Sequence, residues 1–144
     1  MELTIGNNPD IIKKSQIIRN KVFVEEQGIP LELDLDGLDE QSSHALATDN
    51  DLLVATARLY SSNGQHSVIA RVAVIKEYRG NGIAAKIVTA LISHAKKLGF
   101  CSIEIHAHEY LKKYYEKFGF CFIKKVEVVG VYQLIEMQLQ LKTT

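Results

Sequence analysis

Between Gly82 and Gly99, Ile83, Ile87 and Leu91 recur with Ala84, Val88, Ile92, Ala95 and Leu98 as one apolar stripe. Intervals of three and four residues predict an amphipathic helix, the strongest in the chain. Asn81 is of a type that caps helix starts, and Lys96, Lys97 and Gly99 suit its end. A second helix is predicted from Asn8-Pro9 to about Glu26, on the recurrence of Ile11, Ile12, Ile18 and Val22. Gly28 and Pro30 end it. Leu111, Tyr114, Tyr115 and Phe118 mark a short third helix, closed by Gly119.

Strands are expected where the period shortens or β-branched residues crowd: Glu2 to Ile5, Ala45 to Ala47, Leu52 to Tyr60, Val68 to Ile75, Cys101 to Ala107, Val126 to Val129 and Tyr132 to Leu141. Asp49-Asn50-Asp51, Asn63-Gly64 and Gly130 supply the turns. The order predicts an α/β fold, a mixed sheet of about six to seven strands flanked by helices, built as one domain over residues 1–144. Val68 to Ala107 reads as a parallel strand–helix–strand crossover.

Composition narrows the classes of function. With 47% hydrophobic and 24% charged residues the chain can bury a core and is not a disordered tract. A formal net charge of zero gives no electrostatic reason to expect nucleic acid or an anionic membrane as partner. No apolar run approaches a membrane span, and the first residues lack the basic and apolar regions of a secretion signal. Cys101 and Cys121 sit in or beside apolar segments, with no CxxC, and are expected to be buried free thiols in a reducing cytoplasm. No metal site is expected: HExxH is absent, and His44 and His106 lack ligand spacing. Glu32 to Gly37 superficially resembles a calcium loop, but its twelfth position is Ser43, not a glutamate.

The informative segment runs from Val72 to Ala84, a buried strand, a short turn, a glycine-rich loop and the start of the long helix. Glycines allow close backbone approach and unusual dihedrals. A helix start presents free N–H groups and positive dipole charge, which together suit a pyrophosphate. Arg79 adds a cation. The alternative is a plain strand-to-helix turn. GxxxxGK[ST] is absent, which excludes a P-loop. The dinucleotide fingerprint is nominally present in Gly80, Gly82 and Ala85, with Glu104 about twenty residues on, but it belongs to the first strand of a larger parallel sheet than this chain can build.

Arg79-Gly80-Asn81-Gly82-Ile83-Ala84 resembles the (Q/R)-x-x-G-x-(G/A) acetyl-CoA motif of the GNAT acetyltransferase superfamily. Tyr115-Glu116-Lys117-Phe118-Gly119-Phe120 resembles its later Y-x-K-x-G-F signature, and Val22 to Gln27 is similar to a segment of small single-domain bacterial members. The resemblance implies an enzyme that moves an acetyl group from acetyl-CoA to a primary amine by direct attack in a ternary complex; the cysteine usage makes the cytoplasm its expected location. It further implies that Val72, Ala73 and Val74 lie along the pantetheine arm, that Val74 supplies the oxyanion N–H, and that Arg79, Gly80, Asn81, Gly82, Ile83 and Ala84 hold the pyrophosphate. By the same resemblance Tyr115 is the acid for the departing thiolate and lies near the cofactor. His108 stands where the family often has asparagine near the cofactor, and Leu111 where it often has alanine.

The amine must lose a proton before it attacks, which requires a base. Alternation along Cys101 to His108 puts Glu104, His106 and His108 on one strand face, so His106 is one candidate. Glu26, through the subgroup resemblance, is another. A solvated strand face and a surface glutamate are the plain alternatives, as a core tyrosine is for Tyr115. Residues 25 to 40 hold seven carboxylates and no lysine or arginine, which suggests either a lure for a cationic amine or a solvated loop. Lys112, Lys113, Arg58 and Arg71 would instead serve a phosphorylated acceptor, so the acceptor class stays open. Two other readings survive: a non-catalytic CoA-binding sensor module, and a nucleotide-binding protein outside the family. The last strand, if an uncovered edge, would predispose the chain to form a homodimer.

Overall fold

A computed structural model describes residues 1–141. In chain order the elements are β1 (Glu2–Gly6), α1 (Pro9–Arg19), α2 (Leu31–Asp34), β2 (Ser43–Asp49), β3 (Leu52–Tyr60), β4 (His66–Val74), α3 (Ile83–Lys97), β5 (Ser102–His108), α4 (Lys112–Glu116), β6 (Cys121–Val129) and β7 (Tyr132–Gln140). The strands form a seven-stranded mixed sheet in the order β1-β2-β3-β4-β5-β7-β6. Two compact units divide the chain: Met1–Tyr60 with Ile69–Ser93, and Ser61–Val68 with the chain from His94 onward. The division passes through β4 and through α3. No helix among the described residues is long and apolar enough to cross a membrane.

In the first unit Asn8 caps α1, its Oδ1 accepting from the Ile11 N–H at 2.9 Å, and Pro9 follows at the position where a missing N–H costs nothing. The helix expected to reach Glu26 does so, but its last seven residues, Asn20–Glu26, wind as a π-helix. β2 pairs antiparallel with β1 and with β3. Asn50 and Asp51 turn the β2–β3 hairpin at φ 48° and 72°, the left-handed pair that matches strand twist and that Asn and Asp tolerate best. Ile18, Val22, Leu46, Ala73 and Ile75 form the buried centre, with Ile11, Phe23, Leu53 and Tyr78 packed around it.

Three of the seven carboxylates of the acidic segment, Asp34, Asp36 and Asp39, are paired with Arg19, Arg58 and Arg71, while Glu25, Glu26, Glu32 and Glu40 are exposed. Arg19, 1% exposed, donates to both carboxylate oxygens of Asp34 at 3.2 and 3.0 Å and to Asp39 at 2.8 and 3.0 Å. Arg58 binds Asp36 and Asp39, and Arg71 binds Asp34 and Asp36 at 3.1 Å each. Burial alone would raise the Asp39 carboxyl, but the hydrogen bonds from Arg19, Gln16 and Arg58 outweigh it and hold the group well below the usual carboxylate range. Burial pushes the His44 imidazole down, while its Nε2 lies 2.8 Å from the Asp39 carbonyl oxygen. Arg58 and Arg71 are therefore engaged in ion pairs within the fold, Arg58 buried and Arg71 half-buried. Arg71 also adopts a left-handed φ of 58° inside β4, a rare conformation for a residue with a Cβ.

In the second unit β4 and β5 run parallel over three pairs, His66↔Ser102, Ser67↔Ile103 and Val68↔Glu104. β7 pairs antiparallel with β5 on one side and with β6 on the other. β7, the strand considered as an uncovered edge, is thus interior, and β6 stands at that edge instead, running from Cys121 rather than from Val126. Sequence order misleads here because the last strand inserts beside β5 instead of adding at the end. Both cysteines are exposed, not buried. Cys101 precedes β5, where its Sγ lies 2.8 Å from Gln65 Oε1, and Cys121 opens the edge strand.

Candidate functional site

The glycine loop belongs to the first unit. β4 ends at Val74, Lys76–Tyr78 make one tight turn, and Arg79 to Gly82 lead into α3. Gly80 and Gly82 hold φ of 85° and 73°, and a Cβ on either would meet nothing within 4 Å. The left-handed backbone conformation, not crowding within the chain, favours glycine at these positions. The Gly82 carbonyl accepts the Lys86 N–H at 3.2 Å, so the turn of α3 that follows carries N–H groups with no partner inside the helix. Asn81 donates its side-chain amide to the Tyr78 carbonyl at 3.2 Å. Gly80, Asn81 and Gly82 are exposed, Ala84 is half-buried and Ile83 is buried beneath them. The result is an exposed row of backbone donors on an apolar footing.

Arg79 and Glu26, singled out for different roles, are joined. Arg79 donates to both Glu26 carboxylate oxygens at 2.6 and 2.7 Å, and its Nε donates to the Val74 carbonyl at 2.9 Å. The Arg79 hydrogen bond holds the Glu26 carboxyl below its ordinary range, and Glu26 in turn raises Arg79. Of the three strand residues, Ala73 is 2% exposed and Val72 and Val74 are half-buried. All three lie beyond the last β4–β5 pair, Val68↔Glu104. Two grooves of about 410 and 550 Å³ flank α1, and neither is lined by residues 72–84.

The second unit holds Tyr115, His106 and His108. Tyr115 is 9% exposed among Tyr114, Phe118 and Phe120, with ring centroids 5.0 to 6.1 Å away. Burial, with a smaller contribution from Tyr114, pushes its phenol up to about 12, so the hydroxyl stays protonated at neutral pH. The alternation expected along β5 holds: Ile103, Ile105 and Ala107 are buried, while Glu104, His106 and His108 face away from that core. His106 Nε2 lies 2.8 Å from Glu104 Oε2, and His108 stacks on Tyr132 with centroids 4.7 Å apart. The sequence reading missed His66 and Glu136, which join Glu104 and His106 only through strand register. Polar residues at alternate positions of β7, Glu136, Gln138 and Gln140, were the available signal.

Residues 17–141 match the model of the Acetyltransferase (GNAT) domain family. The chain is 28% identical over 127 residues to the Uncharacterized N-acetyltransferase YjcF of Bacillus subtilis (strain 168), covering 88% of this chain and 90% of that protein. It is 41% identical over 107 residues to the UPF0039 protein sll0451 of Synechocystis sp., covering 72% and 69%. An Acyl-CoA N-acyltransferase from Pseudomonas aeruginosa superposes with a TM-score of 0.86 at 26% identity, covering 96% of this chain and 98% of that one. Together with the seven-stranded mixed sheet and the glycine loop at the head of α3, these likenesses establish that the chain belongs to the GNAT acetyltransferases.

Proposed function

We propose that the protein binds acetyl-CoA on the Arg79–Ala84 loop and transfers the acetyl group to a primary amine by direct attack in a ternary complex. The observation that carries the reading is the pair of left-handed glycines, Gly80 and Gly82, opening a row of backbone donors at the head of α3. The ladder from β5 stops at Val68, and Ile69–Val74 would offer backbone groups to the pantetheine arm, as a peptide adds to a strand edge. His108 would lie near the cofactor.

In the reaction the amine nitrogen forms a bond to the thioester carbonyl carbon, the C–S bond breaks, and the thiolate takes a proton. Tyr115 is the proposed donor for that last step, since its phenol carries a proton at neutral pH; burial, which raises its pKa, makes it a weaker acid than an exposed tyrosine. The Val74 N–H is the proposed oxyanion donor. His106 is the proposed base for the amine proton, with Glu104 holding its imidazole. Glu26 is a poorer base, because pairing with Arg79 lowers its proton affinity; its proposed role is to hold the guanidinium beside the loop.

The test is calorimetric titration with acetyl-CoA, with NAD and ATP as controls, followed by a panel of amines with release of free CoA thiol as the readout. Selective acetyl-CoA binding with turnover on an amine is expected. Binding without turnover on any amine would favour the sensor reading, and no binding at millimolar cofactor would sink the proposal.

A further inference from the structure

Three strands of the second unit bring together side chains that lie far apart in the sequence. The registers His66↔Ser102 and His106↔Glu136, with two-residue alternation along β5, set His66, Ser102, Glu104, His106 and Glu136 on one face of β4, β5 and β7. His106 Nε2 lies 2.8 Å from Glu104 Oε2 and 3.9 Å from Glu136 Oε1. One donor atom from each of Glu104, His106 and Glu136 falls within 4.8 Å of the other two. Zinc holds nitrogen and oxygen ligands at about 2.0–2.1 Å, which separates tetrahedral neighbours by about 3.3 Å. The two distances from His106 bracket that value, so small side-chain movements suffice.

The outer groups fit as well. His66 Nε2 lies 2.9 Å from the other Glu104 oxygen, and its Nδ1 lies 2.6 Å from Ser102 Oγ. A ligating carboxylate fixed from behind by a hydrogen-bonded imidazole is the kind of support that orients metal ligands. His106 is 44% exposed, which leaves an entry path and an open coordination position, while Glu104 and Glu136 are 23% and 12% exposed and their orientations are constrained.

We infer that Glu104, His106 and Glu136 form a zinc site, with His66 and Ser102 as its outer support. One imidazole and two carboxylates suit zinc, whereas magnesium demands an octahedral set of oxygens. The metal would take the place of the direct contact between His106 Nε2 and Glu104 Oε2. The site goes beyond the proposed acetyl transfer. Because it uses the proposed base, bound zinc also inhibits turnover. Binding is measured without turnover, so its failure is distinct from failure of the transferase reading.

The experiment titrates zinc into the chelator-treated full chain carrying Cys101→Ser and Cys121→Ser, which removes the exposed thiols as ligands, against a chromophoric competitor. One zinc per chain is expected, with no competition from magnesium. His106→Ala and Glu136→Gln should each weaken binding at least about tenfold, and His66→Ala by about tenfold through loss of outer support. All three are judged with an unchanged circular dichroism spectrum. No zinc bound at about 1 mM, or equal affinity in the His106→Ala and Glu136→Gln variants, would overturn the site.

Discussion

Replacing Gly82 separates two things the loop asks of one residue. Its φ of 73° lies in the left-handed region, and a Cβ there would meet nothing within 4 Å, so Gly82→Ala carries a conformational cost and no clash within the chain. That cost is about 1–2 kcal/mol, and at roughly 3 °C per kcal/mol for a chain of this size the melting temperature should fall by about 3–6 °C. Asn tolerates the left-handed region better, so Gly82→Asn should lose clearly less. Binding should not follow that order. Either side chain occupies the space above the backbone donors, and losing one charge-assisted hydrogen bond to a phosphate costs about 1.5–3 kcal/mol. Both variants should therefore bind acetyl-CoA about ten- to a hundredfold more weakly by calorimetry. An alanine variant with an unchanged melting temperature would refute the conformational argument. Wild-type affinity in both variants would refute the anion cradle.

The buried ion network should dominate stability. Asp39→Asn leaves Arg19 and Arg58 facing a neutral amide and should cost about 3–5 kcal/mol in urea unfolding at pH 7, while Asp10→Asn, in an exposed helix pair, should cost under about 0.5 kcal/mol. The Asp39 pKa is depressed in the fold, so its stabilisation is complete above the unfolded value near 3.9 and is lost as pH falls below it. From about pH 4 downward the wild type should lose stability more steeply than Asp39→Asn, and parallel curves would contradict the pairing. Tyr115→Phe should lower turnover about a hundredfold with acetyl-CoA affinity within about twofold, and undiminished turnover would remove Tyr115 as the acid. Glu26→Gln removes the carboxylate that holds the Arg79 guanidinium beside the loop and should weaken acetyl-CoA binding; tighter binding at low salt would mean that Glu26 neutralises Arg79 rather than positioning it.

Much of the fold was legible because its signals are local. The stripe from Ile83 to Ala95, the Asn8-Pro9 start of α1, the Asn50-Asp51 hairpin and the alternation of Ile103, Ile105 and Ala107 with Glu104 and His106 each depend on neighbours within a few residues. So does the glycine loop, whose residue types declare both the turn and the helix that follows.

Local patterns carried no information about partners distant in sequence. Asp34, Asp36 and Asp39 read as part of an acidic loop until the fold brought Arg19, Arg58 and Arg71, 15 to 37 residues away, against them. Cys101 and Cys121 read as buried because their neighbours are apolar, yet each stands where a strand begins. His66 reaches Glu104 only through the parallel register of β4 with β5, and Glu136 joins His106 only because β7 inserts between β5 and β6 in one register out of many. Residue types along a short window determine which elements form, since backbone geometry repeats over a few residues. Which charges are neutralised and which side chains converge is decided by strand order and register, which long-range packing alone selects.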